Sequence, residues 1–100
     1  MSDLPTKEQF SDELNSQFRA TLNDRPAFEL TLVEHKVHTS TPTQECFTLL
    51  FKASVEQEPV QSLYRLENNK LGKMDLFLVP IKKDSDGLYY EAVFNRLIQA

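Results

Sequence analysis

One hundred residues, 40% apolar and 26% charged, have the size and composition of one ordinary globular domain, and a second is not expected. The net charge of −4, with Lys and Arg scattered and only Lys82-Lys83 adjacent, excludes the concentrated positive field that DNA or RNA binding requires. No apolar run approaches the ~20 residues of a membrane helix. Met1-Ser2-Asp3-Leu4 has no basic-then-apolar leader pattern, and the single Cys46 has no partner for an internal disulfide, so the expectation is a cytoplasmic chain.

Thr6-Lys7-Glu8-Gln9 is a capping box, with Pro5 before it. Phe10 and Leu14, four apart, share one face of a short helix over residues 6–14 that packs as a lid on a sheet. Period-2 alternation then predicts a strand over 17–23, in which Phe18, Ala20 and Leu22 face one way. Asn23-Asp24-Arg25-Pro26 supplies a turn. A second strand over 28–38 changes phase at Leu32-Val33, which predicts a bulge or bend. Thr39 to Gln44 reads as a polar loop. Strands over 46–53 and 62–67 follow, separated by the acidic loop Ser54–Pro59. Glu67 to Gly72 is rich in turn formers.

Met74 to Ile81 is apolar at odd and even positions alike, which predicts a strand over 73–82 buried on both faces, under the lid or in a closed barrel. The other outcome is that one face waits for a partner. Lys83-Asp84-Ser85-Asp86-Gly87 is a turn whose Asp-Gly pair suits positive φ, and a final strand over 88–95 makes a hairpin. Arg96-Leu97-Ile98 is a short tail. The whole chain, 1–100, thus reads as an all-β domain, mainly antiparallel, of about six strands in a small barrel or sandwich, with one short N-terminal helix.

Three segments carry a resemblance: Phe28-Glu29-Leu30-Thr31-Leu32-Val33-Glu34; Tyr64-Arg65-Leu66-Glu67 with Leu71-Gly72 and Leu76-Phe77-Leu78-Val79-Pro80; and Tyr90-Glu91-Ala92-Val93-Phe94-Asn95. Over residues 6–95 the chain resembles a family of uncharacterised small bacterial proteins filed as a domain of unknown function. The C-terminal half is the specific part. Relatives tend to end the third strand in a Gly-Pro turn, whereas here it ends Lys52-Ala53-Ser54. The resemblance implies no reaction. Its members look similar to proteins encoded beside phage-tail collar-type genes, which implies an assembly or interaction role.

His35 and His38, three apart on a strand, point to opposite faces and cannot share a metal, so neither a metal site nor a cofactor is expected. Cys46 has Glu45 beside it and no cation to lower its thiol pKa, so it reads as a structural thiol. Asp84-Ser85-Asp86-Gly87 starts like a calcium loop but has no acid at the twelfth position. Tyr64, Tyr90 and Glu91 are candidates for a ligand-binding mouth; in the competing reading the tyrosines cover a core edge and Arg65 pairs with Glu91 across strands. Leu50, Phe77 and Val79 form an apolar outer face that suits a protein partner or self-association. Of three functions, a non-enzymatic interaction or assembly module, accessory to a phage-tail-like system, is preferred. A small-ligand-binding barrel is the alternative, and a hydrolase using His35 or His38 comes last.

Overall fold

Thr6 caps helix α1 (Lys7–Ser11): its Oγ1 accepts from the Gln9 amide at 3.1 Å, and Gln9 Oε1 accepts from the Thr6 amide at 2.8 Å. The computed structural model describes residues 5–23 and 25–97, so Asp24 of the expected turn, Ile98 of the tail and the first residues Met1–Leu4 lie outside it. α1 stops three residues short of the expected end. The Asn15 amide donates to the Leu32 carbonyl at 2.6 Å and the Leu32 amide to the Ser16 carbonyl at 3.1 Å, which ties this stretch to a strand. Phe10 is therefore fully buried while Leu14 stays 40% exposed, off the packed face.

Six strands follow: β1 Gln17–Thr21, β2 Phe28–Ser40, β3 Gln44–Ala53, β4 Ser62–Asn68, β5 Gly72–Asp84 and β6 Gly87–Leu97. All neighbours run antiparallel in the order β1-β2-β3-β6-β5-β4, and β1 pairs with both β2 and β4, closing a barrel. Closure leaves no lateral sheet edge at β1. The register of β2 slips against β3 between Leu32 and Glu34, at the predicted phase change, and again between Val37 and Thr39. The segment expected as a loop over 39–44 is instead the tip of a long hairpin. The Thr41 hydroxyl oxygen accepts from the Gln44 amide at 2.9 Å. Its residues are polar because residues 40–44 at the tip are exposed to water.

The interior is filled by side chains. Phe18, Leu30, Leu49, Phe51, Leu66 and Leu78 are each 1% exposed or less. Phe10 closes one end, its ring centroid 5.3 Å from Phe94 and 6.1 Å from Phe47. The helix is thus a lid, as expected. At the other end Phe28, Tyr64 and Tyr90 pack ring to ring, and the loop after β3 crosses above them.

β5 departs from expectation. Met74, Leu76 and Leu78 are buried, Val79 is half-buried, and Phe77 and Ile81 face out. Its apolar residues at both phases reflect an exposed apolar face and not burial on two sides.

Candidate interaction face

Leu63 on β4 and Phe77 on β5 are directly opposite in register, and both point outward because their neighbours Tyr64, Leu76 and Leu78 take the inward positions. Across from them on β6, Val93 points outward between inward Ala92 and Phe94. Leu63, Phe77 and Val93 are 56%, 51% and 62% exposed. Ile81, half exposed, continues the apolar surface past Val79. It continues the odd, outward positions of β5, and the register against β6 slips beside it, between Pro80 and Lys82. Pro80 has no N–H for a ladder, and it lies past the last β4 pair, Ser62 with Leu78.

β5 and β6 pair only near their connecting turn, from Val79 opposite Glu91 to Asp84 opposite Gly87. Beyond Val79 they fork. β5 from Gly72 to Leu78 stays with β4, and β6 from Ala92 to Leu97 stays with β3. A groove of about 270 Å³ lies in the fork, with Phe77 and Val93 on its rim and Asp75 and Arg96 on its walls.

The expected interface residues fall around this fork. Phe77 is on the groove rim, while half-buried Val79 and Leu50 flank Glu91 from either side, each directly opposite it. Leu50 and Glu91 line a second hollow of about 240 Å³ with Glu34, Lys36, His38 and Ile81. His38 Nε2 lies 2.7 Å from Thr48 Oγ1 there. No carboxylate forms an ion pair with His38 among the described residues. His35 faces the other way, its ring 5.4 Å from Phe47.

Tyr64, Tyr90 and Glu91 do not converge on a mouth. The tyrosines are inside the barrel, their rings 5.9 Å apart, whereas Glu91 follows Tyr90 in a strand and so faces out. The Tyr64 hydroxyl donates to the Val60 carbonyl at 2.5 Å and the Tyr90 hydroxyl to the Glu58 carbonyl at 3.2 Å. Both hydroxyls therefore serve to hold the loop over the barrel end. Burial raises the pKa of each, and for Tyr90 the neighbouring Tyr64 adds to the rise. Arg65 does not pair with Glu91; its Nε donates to Asp75 Oδ1 at 3.1 Å, straight across from it on β5.

One polar cluster had no sequence signal. Glu45, buried near the lid, accepts from Arg96 Nε at 2.9 Å and Lys7 Nζ at 3.2 Å. Arg96 also donates to the Pro5 carbonyl at 3.0 Å and lies over the stacked rings of Phe47 and Phe94. These contacts pin the start of the lid to β3 and β6. Val93 and Leu63 could have been found from strand phase alone, since each alternates with core residues. The fork could not, because pairing ends leave no periodic mark.

Over residues 5–94 the chain matches the model of a family described as Domain of unknown function (DUF6916), and it belongs to that family. No curated protein and no solved structure matches it. No helix among the described residues is long and apolar enough to cross a membrane.

Proposed function

We propose that this member of the DUF6916 family is a non-enzymatic interaction or assembly module that docks a protein partner on the outer face of β5 and β6. The observation that carries it is the exposure of Leu63, Phe77 and Val93, three large apolar side chains more than half exposed on the outer face, with Phe77 and Val93 lining one groove and Leu63 directly opposite Phe77 on β4. Such residues would normally be polar on the water face of a sheet, and a contiguous apolar patch marks an interaction site. The hydrophobic gain from covering them is about 25 cal/mol per Å² of apolar surface. A cytoplasmic setting, which rests on the single cysteine and the absence of a leader pattern in Met1–Leu4, and an accessory role in a phage-tail-like assembly, which rests on sequence resemblance, are part of the same proposal.

The interior argues for this over a small-ligand barrel, because buried Phe and Leu side chains occupy the space a ligand would need. The test compares the wild-type chain with a Leu63→Ser/Phe77→Ser/Val93→Ser variant by light scattering and by quantitative capture from native lysate. Self-association or a stoichiometric partner that the triple variant loses supports the proposal. A strict monomer with no captured partner overturns it.

A further inference from the structure

The groove in the β5–β6 fork is bounded by two strand edges. β5 from Gly72 to Leu78 and β6 from Ala92 to Leu97 each turn backbone N–H and C=O groups toward it, and no described strand pairs with either edge there. Edges are ordinarily guarded by Lys, Pro or inward charges. The β6 edge, Ala92-Val93-Phe94-Asn95-Arg96-Leu97, has no lysine or proline. Its one cation is taken up by Glu45 Oε1 at 2.9 Å and the Pro5 carbonyl at 3.0 Å. On the opposite wall Asp75 is held by Arg65 at 3.1 Å. Both charges lining the groove are thus neutralised within the chain, and the occupant that complements them is itself uncharged.

We propose that the groove takes an extended, uncharged peptide segment of a partner protein by strand addition to β6. The inference rests on the interaction-module reading and names the chemistry of the partner. Six residues of free edge span about 20 Å, the length of an ordinary strand. Alternate side chains of the guest meet Phe77 and Val93 outside and lie toward Leu76 and Phe94 inside. In a second copy the strands that bear these free edges are already paired on their other side, β5 with β4 and β6 with β3, so neither is detached to enter the groove.

The test selects a random decapeptide library displayed on phage against the intact chain and follows one selected peptide in synthetic form. Strand addition predicts uncharged sequences with Val, Ile, Thr or aromatic residues at alternate positions. It predicts slowed amide exchange at residues 75–78 and 92–97 on binding. Methylating alternate backbone nitrogens of the peptide weakens binding by roughly tenfold or more, from the loss of ladder hydrogen bonds. Val93→Lys, a change at an exposed position, abolishes binding with the fold intact. Failure to select any peptide overturns the proposal, as do charged or helix-period sequences. Binding at Phe77 and Val93 that leaves those amides unprotected, or that is indifferent to N-methylation, overturns strand addition while the interaction-module reading stands.

Discussion

Leu63 and Phe77 face each other across the β4–β5 ladder with more than half of each side chain in water. Neither contributes the burial that would make it structural. Phe77→Ser and Leu63→Ser are therefore expected to change unfolding free energy by less than about 1 kcal/mol, as surface substitutions do. Thermal or urea melts check this. A loss of several kcal/mol would mean the pair belongs to the core and not to a docking face.

Phe10 is the opposite case. It is fully buried against Phe47 and Phe94, so Phe10→Ala opens a cavity at the lidded end and costs about 3–5 kcal/mol. Leu14→Ala, one helical turn on in sequence but past the end of α1, costs under about 1 kcal/mol. Urea titration of the two variants separates them, and equal costs would show that the lid packs through both residues.

That contrast locates what the sequence could reveal. Apolar patterning placed all six strands within a few residues, and the phase change at Leu32-Val33 marked a real register slip, because both are local consequences of which residues are buried. Leu14 misled because helix spacing says nothing about where a tertiary tie, here the Asn15 amide to the Leu32 carbonyl, ends the helix. Met74–Ile81 misled because an exposed apolar face and a buried one are the same letters. On the site, Phe77 and Val79 were legible as outer apolar residues. The fork beside them, and the clamp of Glu45 by Arg96 and Lys7, depend on strand pairing and on residues far apart in the chain.

Gly87 is needed for proximity and not for turn conformation. Its φ is not positive, and the turn is held by Asp84 Oδ1, which accepts from the Asp86 amide at 2.8 Å and the Gly87 amide at 3.2 Å. A Cβ at Gly87 would meet the Ala53 carbonyl oxygen at 2.5 Å. Backbone cannot yield as a side-chain end can, so Gly87→Ala is expected to destabilise by about 1–3 kcal/mol. Gly72, at φ +81° with open space around its missing Cβ, loses stability on substitution through strain alone. A neutral Gly87→Ala melt would refute the close approach.

At high pH the tyrosines of the other barrel end set the limit. Burial raises the pKa of both Tyr64 and Tyr90 above the ordinary tyrosine value. A folded-state pKa above the unfolded one gives stability that is complete below about pH 10 and is lost as pH rises further. Tyr90→Phe removes one of these ionisations along with its hydrogen bond to Glu58. It is expected to cost about 1 kcal/mol at neutral pH and to flatten the alkaline loss. Melts at pH 8 and above measure both effects, and an unchanged alkaline slope would count against burial as the cause.

The acid limit tests the clamp on the lid. Desolvation pushes the Glu45 carboxyl upward, but hydrogen bonds from Arg96 and then Lys7, with their charges, outweigh it and leave the pKa below the ordinary glutamate value. A depressed folded-state pKa gives stability that is present above the unfolded value, about 4.3, and is lost as pH falls through the lower folded value. Glu8 beside Lys7 and Asp84 in its turn shift the same way, so the acid slope has more than one source. Glu45→Gln should reduce that slope without removing it and should lower stability at pH 7, since Arg96 then faces a neutral partner beside the Pro5 carbonyl. Because the clamp pins the lid, amides of α1 should exchange faster at pH 4 than their intrinsic rates predict, and the variant should show that faster exchange already at pH 7. An acid slope identical in the wild-type and Glu45→Gln chains would mean that the lid is held by Phe10 alone.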